Sequence, residues 1–203
     1  MMTRYKLVVA AIVVALAQIG FLGWMIVGRA AILRDGKEIL LKVEPVDPRD
    51  LLRGDYVRLG YDISRIPVEI VENLPQGEAA AVEGWPIVVR LKKDADGYWR
   101  AKSAMLTTDS TIASPDEVDL SGQVTNAWSL TPGSTISVDY GIERFYVPEG
   151  EGLAIEEEMR KRNSGAEPEL RSFGIKVAVG SDGTGQIKAL MDGDTMLFEE
   201  PLY

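Results

Sequence analysis

The chain has 203 residues, a net charge of −9, and neither cysteine nor histidine. That length suits one domain plus a small additional element. The missing residue types exclude disulfides, thiol and imidazole nucleophile systems, histidine-ligated haem and most zinc sites, and the acidic balance argues against nucleic acid or an anionic lipid surface as a partner.

The first element is an apolar run, LVVAAIVVALAQIGFLGWMIV, from Leu7 to Val27. It is 21 residues long, so as a helix it would rise about 30 Å, the thickness of a hydrocarbon core. A cleaved signal peptide carries a shorter apolar segment, and Gly28-Arg29-Ala30 is a poor cleavage site. A buried core helix would carry a polar face, which this run lacks. Residues 7–27 are therefore expected to cross a lipid bilayer as a signal anchor. The chain then divides into an anchor at 1–28, a juxtamembrane linker at 29–36 and a β-rich domain at 37–203. Arg4 and Lys6 flank the run on one side, and Arg29, Arg34, Lys37 and Lys42 on the other. Basic-residue counting thus does not favour a cytoplasmic amino terminus, but large domains cross largely regardless of charge. The expectation is a single-pass protein of the cytoplasmic (inner) membrane with its domain outside the cytoplasm.

Beyond the anchor the pattern has period two, as in strands with one buried and one solvated face. Ile39, Leu41 and Val43 alternate with charged residues, and Val57, Leu59, Tyr61 and Ile63 alternate with polar residues and glycine. Residues 86–106 read as a hairpin turning at Asp94 to Gly97, and 118–147 as two strands turning at Thr131 to Gly133. Residues 174–193 read as a last hairpin around Ser181 to Gly185. SDGTG and DGDT are turn sequences before they are calcium loops. Roughly seven or eight strands at this spacing predict a mainly β fold, a sandwich or barrel-like domain. QGEAAAVEG reads as a loop. LAIEEEMRKR, Leu153 to Arg162, predicts one amphiphilic helix with three Glu-first i,i+4 ion pairs on a solvated face. RNSGAEPELRS, from Arg162 to Ser172, reads as a loop.

Between the first two strands lies PVDPRDLLRGDYVRLGYDIS. Asp47 as N-cap, Pro48 as first helical residue and Gly54 as the stop describe a single helical turn. Arg49, Arg53, Asp55 and Tyr56 remain outside that explanation. They form an Arg/Asp/Tyr set able to recognise a carboxylate, a peptide or a partner loop. Glu143 and Arg144, in YGIERFYVPEG, are candidates for the same surface or for a plain exposed charge pair.

GDYVRLGY, Gly54 to Tyr61, fits the pattern Gly-Asp-Tyr-x-x-Leu-x-Tyr letter for letter. With the PVDPRDLLRGDY lead-in, YGIERFYVPEG, the acidic helix and the late hairpin, the chain resembles the bacterial GDYxxLxY domain family. The motif residues fall on Gly54, Asp55, Tyr56, Leu59 and Tyr61. The resemblance implies a membrane-anchored protein, often encoded near multi-span membrane proteins, with no catalytic role to carry over. The order of anchor, Pro-rich turn and Gly-Asp-Tyr-Val is also faintly similar to type I signal peptidases. Those enzymes need a nucleophilic Ser before the Gly-Asp and a Lys base, and no Ser or Thr occurs from Gly36 to Ile63.

The expected function is a membrane-anchored, non-enzymatic binding or accessory module for an integral membrane protein, with Arg and Tyr as interface anchors. No cofactor, metal or nucleic acid is expected. The alternative is a hydrolase or ion-binding domain in which carboxylates such as Asp55 and Glu143, with Asp47, supply acid–base or cation-binding chemistry.

Overall fold

The computed structural model describes residues 2–45, 56–75, 82–110, 114–146 and 173–199, with the side chains of residues 2–4, 44, 45 and 56–58 outside that description. The expected turn at Asp47 to Gly54, the helix at Leu153 to Arg162 and the loop at Arg162 to Ser172 lie outside the described residues. So does most of the QGEAAAVEG loop.

Among the described residues, helix α1 (Met2–Asp35) is followed by eleven strands. The helix is long and apolar enough to cross a membrane, and no residue of its apolar stretch is buried against the domain. It does not stop at the end of that stretch. Residues 29–35, read above as a juxtamembrane linker, continue the helix. Its last turn docks on the domain through buried Leu33.

The fold is mainly β and barrel-like, nearly closed from two antiparallel sheets. The strands are β1 (Lys37–Pro45), β2 (Tyr56–Tyr61), β3 (Arg65–Pro67), β4 (Pro86–Lys93), β5 (Trp99–Met105), β6 (Glu117–Ala127), β7 (Thr135–Asp139), β8 (Arg144–Tyr146), β9 (Phe173–Val179), β10 (Gly185–Asp192) and β11 (Thr195–Glu199). One sheet runs β11-β10-β9-β1-β2-β8 and the other β3-β7-β6-β4-β5. Period-two alternation puts Ile39, Leu41 and Val43 of β1 and Leu59 and Tyr61 of β2 into the core. There they meet Ile87, Val89, Leu91, Leu120 and Ile136 of the other sheet. β4 lies between β6 and β5, and its nearly continuous run Ile87-Val88-Val89 is buried on both faces, as a central strand requires.

The predicted hairpin at 86–106 is β4–β5, and SDGTG is the turn of the β9–β10 hairpin. In that turn Asp182 accepts the Thr184 N–H at 3.0 Å and its hydroxyl at 2.8 Å. Gly183 takes φ +80, and a Cβ there would meet the Ser121 hydroxyl oxygen at 2.3 Å. The Gly183 carbonyl instead accepts the Ser121 N–H at 2.9 Å, tying one sheet to the other. The strand count exceeds the expected seven or eight because β3 and β8 are three residues each, too short to show alternation. β11 was missed too, because Met196, Leu197 and Phe198 interrupt the polar–apolar alternation.

Passage from helix to sheet is made at Gly36, whose N–H donates to the Ile32 carbonyl at 2.8 Å. A Cβ at this position would lie 2.4 Å from that oxygen and 3.0 Å from the Val179 carbonyl oxygen. Backbone rather than a flexible side chain blocks it, so something must shift. Gly36→Ala is expected to lower the melting temperature of the detergent-solubilised protein, at a cost of about 1–3 kcal/mol. Gly28→Ala, whose Cβ would meet nothing within 4 Å, should melt as wild type does.

Candidate functional site

Of the sequence-predicted residues, Arg49, Arg53, Gly54 and Asp55 lie outside the described residues, as does the side chain of Tyr56. Two motif residues, Leu59 and Tyr61, are core, each 1% exposed. β2 pairs with β8, and the register sets Tyr56 opposite Tyr146, Val57 opposite Phe145 and Arg58 opposite Arg144. The two stretches singled out in the sequence are therefore neighbouring strands, with the backbone of Tyr56 beside that of the second motif.

Two buried tyrosines fasten the pair. The Tyr61 hydroxyl donates to the Ile142 carbonyl at 2.5 Å, and the Tyr140 hydroxyl donates to the Ile63 carbonyl at 2.7 Å. The Leu59 N–H donates to the Glu143 carbonyl at 2.9 Å. Each segment thus supplies a phenol to the other's backbone. Burial pushes both phenols well above the usual tyrosine range, and the Glu143 charge pushes in the same direction. They act as hydrogen-bond donors throughout the physiological pH range.

Glu143 and Arg144 do not form the exposed pair considered above. Arg144 is exposed, whereas Glu143 is half-buried in the turn between β7 and β8. Its Oε1 accepts the Tyr140 N–H at 2.7 Å, and Asp139 Oδ1 in the same turn accepts the Gly141 N–H at 2.8 Å. Burial raises the Glu143 carboxyl to about 7; the Tyr140 N–H opposes this, and a hydrogen bond with Asp139 and its negative charge add to it. Chemically this is a carboxyl poised to exchange a proton near neutrality, packed against a tyrosine-locked turn.

Tyr140, though within the quoted YGIERFYVPEG stretch, and Asp139 were not among the site residues expected from the sequence. The signal available was Asp139-Tyr140-Gly141, an Asx-type turn with an aromatic at its centre. Gly141 indeed takes φ +75. Among the described residues, no group of three or more Asp and Glu side chains is placed to hold a metal ion.

A family model described as GDYXXLXY protein matches residues 18–190. No curated protein and no solved structure matches the chain.

Tyr61→Phe leaves the ring in place and strips the Ile142 carbonyl of its donor, so a loss of about 1–2 kcal/mol is expected in chemical denaturation. Glu143 gives a pH signature. The folded protein holds this proton more tightly than an unfolded carboxyl near 4.5. Its contribution is most favourable at low pH and is lost as pH rises through about 7. Glu143→Gln should remove that slope, stabilising the protein at pH 8 by about 1–3 kcal/mol and changing little at pH 4. Melting curves at pH 4, 6 and 8 check this, and parallel profiles for wild type and variant would contradict it.

Proposed function

This chain belongs to the GDYXXLXY protein family, and we propose that it works as a membrane-anchored, non-enzymatic binding or accessory module for an integral membrane protein. One observation carries the reading. The apolar stretch of α1 is uncovered by its own domain, and the helix passes through Gly36 directly into β1. A helix of that length and polarity is stable with its flanks in lipid. The domain then sits on the membrane surface at a fixed attachment rather than on a flexible tether.

The motif end points elsewhere. β1 has nine residues, a length of roughly 30 Å at 3.3 Å per residue. Leu59 pairs with Pro45 at its far end, and Tyr56 lies three residues beyond that. The backbone of Tyr56 therefore lies beyond the end of β1 opposite to the anchor, and the working surface of this reading is Arg49, Arg53, Asp55 and Tyr56. Arg and Tyr are residues that anchor protein interfaces. On this reading the domain faces outward from the inner membrane and presents that edge to its partner.

A second reading, a hydrolase or ion-binding domain using carboxylates, is favoured by Glu143 alone, whose proton is exchangeable near neutrality beside Asp139. Its role as acceptor of the Tyr140 N–H already accounts for its position, so the binding module is preferred.

The test is affinity capture from detergent-solubilised membranes. Wild type is expected to retain an integral membrane protein that Arg53→Ala/Asp55→Ala/Tyr56→Ala loses while melting at the same temperature. Retention of every partner by the folded triple variant would remove this surface from the proposal. Release of wild type from membranes by alkaline carbonate would remove the anchor.

A further inference from the structure

The end of α1, the start of β1, the segment leading into β6 and the β9–β10 turn surround an open cleft of about 600 Å³. Ala31 and Ile32 of α1 give it one apolar wall, and Lys37, Ser110, Ser114 and Ser181 line it with polar groups. Its height is set by the helix. Ala31 and Ile32 follow Val27, the last residue of the apolar run, by four and five residues. At 1.5 Å per residue they stand roughly 6–8 Å past the hydrocarbon boundary. The headgroup layer on each side of a bilayer is about 5–8 Å deep. With α1 spanning the membrane, the cleft opens among the lipid headgroups, and buried Leu33 and the close approach at Gly36 hold it there.

The charges in the cleft differ in how they are matched. Asp119 holds Arg90 through two bonds of 2.7 and 2.9 Å, and Glu117 holds Lys102 at 2.5 Å. Asp35 accepts from the guanidinium fork of its chain neighbour Arg34 on both oxygens, at 3.0 and 2.7 Å, with both side chains mostly exposed to water. Lys37 is held by neutral groups. Its ammonium donates to the carbonyls of Pro115 and, at 3.0 Å, Glu117, and stands 5.2 Å over the Trp99 ring. Those contacts position the cation without cancelling its charge. Lys37 and Asp35, two residues apart around Gly36, therefore present a fixed positive and a solvent-exposed negative group at one opening.

We infer that this cleft binds the headgroup of an amine-bearing zwitterionic phospholipid. Lys37 and the Ser114 hydroxyl take the phosphate, Asp35 takes the ammonium, and the acyl chains run past Ala31 and Ile32 into the bilayer. The Ser110 hydroxyl donates to the Ser181 carbonyl at 3.3 Å and closes that side of the cleft. A headgroup with net negative charge would meet three carboxylates and a chain of net charge −9. A trimethylated headgroup offers no N–H to Asp35. The inference rests on the reading of α1 as a membrane span.

Native mass spectrometry of the full chain tests it, with phosphatidylethanolamine, phosphatidylcholine and phosphatidylglycerol of identical acyl chains supplied in detergent. Retention of the ethanolamine lipid is expected to exceed the other two by about tenfold, the effect of one charge-assisted hydrogen bond. Lys37→Ala should weaken retention of all three lipids, because each carries the phosphate. Because Lys37 also holds the Pro115 segment, the surface variant Asp35→Asn is the second arm, and it should lose the preference while melting as wild type does. Flotation of the reconstituted protein under alkaline carbonate reports the span separately. Equal retention of the three lipids by a chain that floats, or an undiminished preference in Asp35→Asn, overturns the headgroup site and leaves the anchor standing. A chain that fails to float overturns both.

Discussion

The domain depends on a reciprocal exchange of buried phenols. Tyr61 donates to the backbone beside Tyr140, and Tyr140 donates to the backbone beside Tyr61. A phenolic hydroxyl sealed from water costs free energy unless it finds an acceptor. Here each acceptor is a carbonyl on the other segment, so neither tyrosine is satisfied unless both segments are in place. Pairing of β2 with β8, the partial burial of Glu143 and the shape of the Asp139 to Glu143 turn all follow from that condition.

This division of labour separates the letters of the family motif. Leu59 and Tyr61 pack the core, and they hold β2 in the register that brings Tyr56 and Arg58 beside β8. The alternation of a strand sends successive side chains to opposite faces, and Leu59 and Tyr61 share the inward one. α1 and Gly36 then supply a rigid attachment at the other end of β1. Helix α1, β1 and the Tyr61 half of the lock follow one another in the first 61 residues, and the other half comes from Tyr140.

Glu143 shows why charged residues in a sequence are hard to assign. Glu143-Arg144 looks like an exposed pair, yet the two side chains diverge: Arg144 goes to solvent and Glu143 turns back to its own loop. Lys37 was read only as one of the basic residues flanking the anchor. It lies instead over Trp99 with its ammonium on two carbonyls. Asp119, buried against Arg90, gave no signal at all, because its partner is 29 residues away. Contacts of this kind join segments remote in sequence and leave no local pattern.

By itself the sequence determined the membrane-length helix, the mainly β domain, the inward faces of β1 and β2, the hairpins at 94–97 and 181–184 and the family motif, because each is written in local periodicity or turn chemistry. The number of strands, the docking of α1 through Gly36, the pairing of β2 with β8 and the tyrosine exchange were decided by tertiary structure. Those features are set by which buried donor meets which distant acceptor and how closely two backbones approach, and both are properties of the packed chain rather than of any stretch of it.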